Sequence, residues 1–350
     1  MFATVVGPYP RPVIDDPSGP RIVEAILREQ LEAGLGMVTD GEVRTPPADG
    51  DESVLAEIVD AWQLADDTVR DIDPLLEPGI EPPLVKACLV GPYSAGIWAA
   101  AAAPAAGGAP AAGGAPAGTR RSPIAERRRV TMALAETTRI LAATLFRAGA
   151  PVVQLAEDEL TTIGTDDDAE RALAAEAFRR ATAGLDGHLS LSVAGGSAEA
   201  AGASLLFDAP FASYLFDLIT GPDNWRLITR APHDRGIVCG VADARSDVRD
   251  DVAVMVWAAR HAAASEGRGL QRVGLAPSAG LERLPPRVAR RKLEDLAEAG
   301  RKAGLPGPEL AATIDARAVD ARSAAMGAFR PGSSRRRPGL TGRSGPEGQG

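Results

Sequence analysis

Short apolar runs alternate with longer helical patterns over most of this chain, and that alternation limits the fold more than any other feature. The runs fall at residues 2–6, 36–39, 84–90, 151–155, 188–193, 213–218, 236–241 and 272–275. Each has the length of a buried strand. Between most of them lie helical patterns, at 20–33, 122–148, 166–185, 247–265 and 286–303. Strands joined through helices run parallel in one sheet. Eight such units predict an α/β fold, a single-domain (β/α)₈ TIM barrel over residues 1–330. The scheme is thinnest between Ser197 and Phe211, where only a short helix fits.

Two segments stand outside it. Residues 99–118 are Ala, Gly and Pro without charge or periodicity, and read as a flexible insertion after the third strand. That position puts the insertion on the face where a barrel carries its active site, so a lid is the functional reading and a neutral expansion the plain one. Residues 331–350 are rich in Gly, Ser, Arg and Pro and read as a disordered tail.

Charge and cysteine usage narrow the function. The net charge is −9, and the short basic run Arg127 to Arg129 follows Glu126 and reads as a solvated helix start. Nucleic acid is therefore not expected as a partner. Cys88 and Cys239 each sit in an apolar run and read as buried strand residues. Two distant cysteines and three histidines give neither a disulfide framework nor a metal-ligand spacing. Outside the Ala/Gly/Pro tract no apolar run has the length of a membrane span, and the N-terminus lacks a signal-peptide pattern, so a cytoplasmic protein acting away from membranes is expected.

In such a barrel the polar residues at the C-terminal strand ends are the candidates for chemistry. The first strand leads to Arg11, the second to Asp40, Glu42 and Arg44. The third carries Lys86 and Ser94, the fourth Gln154 and Glu157, and the seventh Asp243 and Arg245. The fifth offers Ser192 and Ala194, and the eighth only Pro277, Ser278 and Ala279. Glu42 and Glu157 are candidate catalytic carboxylates, with Asp40 beside them, for proton transfer or amine binding. Arg11, Arg44 and Arg245 suit a carboxylate or phosphate, which guanidinium pairs in bidentate fashion. Rim salt bridges among these groups are the plain alternative. His188, His233 and His261 form no nucleophile–base arrangement with Ser or Cys and read as structural.

The strand ends also carry a family resemblance. "TVVGPYPRP", "QLEAGLGMVTDGEVR", "VKACLVGPYSAGIW", "APVVQLAEDEL", "GIVCGVADARSD" and "GLAPSAGL" occur in this order. Together they resemble the catalytic barrel of cobalamin-independent methionine synthase over roughly residues 2–305. That family moves a methyl group from a methyl-folate to the thiol of homocysteine, which a Zn²⁺ holds as thiolate. The resemblance implies a methyltransferase-type activity, with Glu42 touching a substrate amino group and Trp98 stacking on a folate. Arg11, Lys86, Gln154 and Glu157 also match, and with Asp40, Arg44, Ser94, Asp243 and Arg245 complete the expected substrate-binding set.

The metal ligands do not match. The family's His-x-Cys falls on Ser192 and Ala194, its last Cys on Ala279, and its sixth-strand Glu near Phe216, with Asp217 beside it. Another amino-group contact falls on Ala156, and the family's proton-donating His on Arg245. Zinc needs about three or four N, S or O ligands, so none is expected here. The reading is a divergent transferase acting on a small anionic or amino-acid-like substrate, with no certain cofactor and a methyl-folate left open. The alternatives are a metal-free lyase, like the superfamily relative uroporphyrinogen decarboxylase, or a non-catalytic barrel that binds a ligand or partner protein.

Overall fold

Parallel pairing is the rule throughout the computed structural model, which describes residues 1–14, 19–42, 52–72, 83–102 and 124–314. The strands are β1 (Phe2–Ala3), β2 (Met37–Val38), β3 (Leu84–Val85), β4 (Ala87–Val90), β5 (Val153–Ala156), β6 (Leu189–Val193), β7 (Ser213–Asp217), β8 (Gly236–Ala242) and β9 (Val273–Pro277). Seven of them form one sheet in the order β1-β9-β8-β7-β6-β5-β4, and β2 pairs with β3.

The sheet is curled into a half-barrel, and Lys86 supplies the proof. Its Nζ donates to Val5 O beside β1 and to Gln154 Oε1 on β5, each at 2.7 Å. Five steps of about 4.8 Å separate β1 from β5 along a flat sheet, far beyond one side chain. The β2–β3 pair lies across the remaining gap, where Gly36 N donates to Ala3 O at 3.1 Å.

Period-two alternation sorts the side chains. Leu189, Leu191, Tyr214, Phe216, Ile237 and Cys239 point outward into the core beneath the helices. The inner face is mixed. Val6, Ala194, Leu215, Val238 and Ala276 make a small apolar cluster, while Lys86, Gln154, Ser190 and Ser213 are polar.

The helices are α1 (Gly19–Glu32), α2 (Glu52–Ile72), α3 (Pro92–Ala102), α4 (Ile124–Ala148), α5 (Asp168–Thr182), α6 (Ala203–Phe207), α7 (Trp225–Arg230), α8 (Val252–Ala264), α9 (Pro286–Ala303) and α10 (Gly307–Thr313). Those expected from periodicity are α1, α4, α5, α8 and α9. Helix α2 was not expected; Trp62 docks it, donating from Nε1 to Val85 O at 3.0 Å. Helix α9 buries Val288, Ala289, Leu293 and Leu296 at helical spacing, and its buried Lys292 pairs with Asp250 Oδ2 at 2.7 Å.

Two expectations are corrected. The strand expected at 84–90 is broken at Lys86, so that its first half pairs with β2 and its second with β5. The first four residues of the expected insertion belong to α3, and 103–118 lie outside the described residues, as do 331–350. Among the described residues the continuous sheet has seven strands, with the β2–β3 pair beside it.

Candidate functional site at the C-terminal ends of the strands

The turn after β2 is built to hold Glu42. Buried Gln30 clamps Thr39 from α1, donating to its carbonyl and accepting from its N–H, both at 3.0 Å. Thr39 Oγ1 accepts from Gly41 N, and Asp40 Oδ1 from Glu42 N, each at 3.1 Å. Gly41 has φ +75°, and a Cβ there would lie 3.0 Å from Ile26 and 3.1 Å from Tyr9. Glu42 is itself left-handed at φ 52°, an uncommon and strained state for a side chain of its size. The turn sends its carboxylate over Gly7, where an added Cβ would meet Oε1 at 3.4 Å.

The Cys88 thiol donates to that carboxylate, and Lys86 lies close by. Cys88 follows Lys86 by two, so both side chains fall on one face of the strand. Burial raises Glu42 from its ordinary 4.5 to about 7; Asp40 adds to the rise, and Lys86 and Cys88 oppose it. Burial also pushes the Cys88 thiol up and the Lys86 ammonium down. A carboxyl at about 7 beside a buried ammonium can give or take a proton at neutral pH.

Glu157 is placed differently. It is fully buried and spends both oxygens on the N-terminus of α3. Oε1 accepts from Tyr93 N at 2.9 Å and Oε2 from Ser94 N at 2.7 Å. Burial raises it to about 7 against the pull of those two amides. Ser94 is also fully buried, and its Oγ accepts from Glu159 N at 3.1 Å. The Tyr93 hydroxyl donates to Glu170, which is paired with Arg127. Glu157 and Ser94 thus fasten α3 to the segment after β5.

The remaining expected residues spread around the mouth. Trp98 on α3 is 48% exposed and donates from Nε1 to Glu159 Oε1 at 2.7 Å. Arg245 reaches from the loop after β8 to Gly195 O at 3.3 Å, and its N–H donates to Asp243 Oδ1 at 2.9 Å. Arg11 is exposed on the segment after β1, and Arg44 lies outside the described residues. Lys86 and Gln154 sit below the mouth, inside the sheet.

Sequence reasoning assigned no role to Cys88 or Asp158. The signal for Cys88 was its two-residue spacing from Lys86. Asp158 Oδ1 accepts from Ala194 N at 2.9 Å, and burial, with Glu159, Asp217 and Glu282 nearby, raises it to about 6.

The donor set does not fit zinc. Ala194 and Ala279 pack into the inner apolar cluster. Ser192 Oγ is buried without a partner among the described residues. Asp217 Oδ1 accepts from Ile219 N at 2.8 Å and Thr220 N at 2.9 Å. Its Oδ2 is buried without a partner among the described residues. Among them no group of three His, Cys, Asp or Glu is placed to hold a metal ion. The loop after β9 is tied to its neighbours. Buried Ser278 accepts from Ala244 N at 3.1 Å, and Leu281 N donates to Pro8 O at 2.9 Å.

The chain is similar to a putative vitamin-B12 independent methionine synthase from Listeria monocytogenes, at 14% identity and TM-score 0.59, over 87% of this chain and 98% of that one. It is similar to a B12-independent methionine synthase from Shewanella sp., at 13% identity and TM-score 0.61, over 89% and 100%. A methyltransferase from Methanosarcina mazei matches at 12% identity and TM-score 0.59, over 86% and 93%. The fold is shared. No family model and no curated protein sequence matches the chain. No helix among the described residues is long and apolar enough to cross a membrane.

The raised carboxyls predict a pH effect on stability. A carboxyl whose pKa is higher folded than unfolded stabilises the fold fully below the unfolded value and stops doing so as pH passes the folded one. Glu42, shifted from 4.5 to about 7, works in that sense. Between about pH 5 and about pH 8 the wild type should lose about 2 kcal/mol more than Glu42→Gln, allowing for partial solvent contact. Urea midpoints at the two pH values measure this, and parallel profiles for the two proteins would refute it.

Proposed function

We propose that the chain is an enzyme of the methyl- or alkyl-transferase type, built on an eight-stranded (β/α)₈ barrel that the β2–β3 pair completes. Its substrate is small and bears an amino or acidic group, and binds at the C-terminal strand ends. The observation that carries this reading is Glu42, held left-handed over Gly7 and raised to about 7 beside Lys86.

As carboxylate, Glu42 takes the proton of the acceptor's nucleophile. The nucleophile's electron pair forms the new bond to the alkyl carbon, and the donor leaves with the old bonding pair. Glu42 then returns the proton to the leaving group. Lys86 limits how far burial raises Glu42, and Asp40 fixes the turn. Asp158 and Asp217 favour an amine in the acceptor, and Arg11 and Arg245 its acidic end. No step is routed through zinc, since Ser192, Ala194 and Ala279 supply too few donors. In this reading Glu157 holds α3 in place rather than moving protons.

The alkyl donor is a methyl-folate, and the half-exposed Trp98 indole is the surface on which its ring stacks. Methyl-folate is expected to quench tryptophan fluorescence saturably, and Trp98→Ala to abolish most of the quench. A titration without quenching, or an unchanged one in the variant, removes the folate from the proposal.

A further inference from the structure

We propose that the opposite, N-terminal end of the sheet holds a second binding site, for a small oxyanion. A cavity of about 460 Å³ opens there, lined by strand starts and by the loops that enter them. That volume suits a small molecule.

Two buried donors at the lining lack acceptors. Gln154 is 2% exposed, and its Oε1 is committed to Lys86 Nζ at 2.7 Å. This fixes the amide's orientation and leaves Nε2 as a buried donor without a partner among the described residues. Arg235 Nε is likewise buried without a hydrogen bond there, the nearest carboxylate oxygen, Asp234 Oδ2, being 3.6 Å away. The Ser213 hydroxyl is engaged with His188 Nε2 at 2.8 Å, while Ser190, 5% exposed, lines the cavity with its hydroxyl available.

The charge has the matching sign. Lys86, Arg235 and Arg272 line the cavity against one carboxylate, Asp234. Buried donors without acceptors are costly unless a ligand or water completes them. A carboxylate or phosphate group supplies several acceptor oxygens and the missing negative charge at once. Arg272 sits at the cavity's rim, held by its Nη1 bond to Asp234 O at 2.7 Å.

Thermal unfolding tests the site without reference to catalysis, because a ligand that binds only the folded state raises Tm. Sodium phosphate and sodium acetate are titrated separately against sodium chloride at matched ionic strength. A saturable rise in Tm with one of the two anions is expected, and which one identifies the phosphate or the carboxylate class. Arg272→Ala should weaken the apparent affinity about tenfold. Ser190→Leu, which fills the cavity, should abolish the effect. If Ser190→Leu does not fold, Arg272→Ala decides alone. No saturable rise with either anion overturns the proposal, and so does an unchanged affinity in Arg272→Ala.

Discussion

Replacing Glu157 by glutamine is expected to destabilise the fold by about 1–3 kcal/mol, although it alters a single atom type. The carboxylate accepts one backbone N–H on each oxygen, at 2.9 and 2.7 Å, and is fully buried. A glutamine amide presents a donor to one of those donors, so a helix N-terminal N–H loses its partner. Such a buried group costs about 1–3 kcal/mol. The carboxyl lies tight against Gly91, where an added Cβ would fall 2.2 Å from its carbon. Urea unfolding should show a lower midpoint with an unchanged slope. A shift below about 1 kcal/mol would mean that the cap does not hold α3.

Glu42→Gln should behave in the opposite way. Its fold should persist, since the turn is held by Gln30, Thr39 and Asp40 rather than by the Glu42 carboxylate. Transfer from methyl-folate to an amino-acid acceptor should fall by about 10²–10⁴, the usual contribution of a positioned acid–base group. The residual rate should also lose any inflection near the Glu42 pKa of about 7. A variant that keeps more than about a tenth of wild-type turnover would remove Glu42 from proton transfer.

How much of this was legible depended on the length scale of each cause. Strand runs such as LSLSV and GIVCGVA declared themselves locally, through apolar content and alternation. Lys86 was read as a strand residue, but its break of the strand depends on Val5 and Gln154, which lie 81 and 68 positions away. Helix α2 was missed. Its docking through Trp62 onto Val85 is likewise tertiary. At the site, Glu42 was found from the turn that carries it. Glu157 looked equivalent, because nothing in AEDEL reveals that its oxygens face the amides of Tyr93 and Ser94, 64 and 63 positions earlier. Cys88 and Asp158 were visible as residues, and only their spacing to Lys86 and Glu157 hinted at their place.

The pairing of β1 with β9 sets a timetable for the chain's own synthesis. Phe2 and Ala3 are registered against Gly274 and Leu275, so β1 waits for β9, the last of the described strands. At about 5–20 residues per second, that interval is roughly a quarter of a minute to a minute. Strands β5 to β9, in contrast, each pair with the one just before. They can assemble as they emerge, while the edge of residues 2–6 that faces β9 stays unpaired. Ribosome-bound chains stopped before β9 should therefore expose residues 2–6 to protease, and chains in which β9 has emerged should protect them.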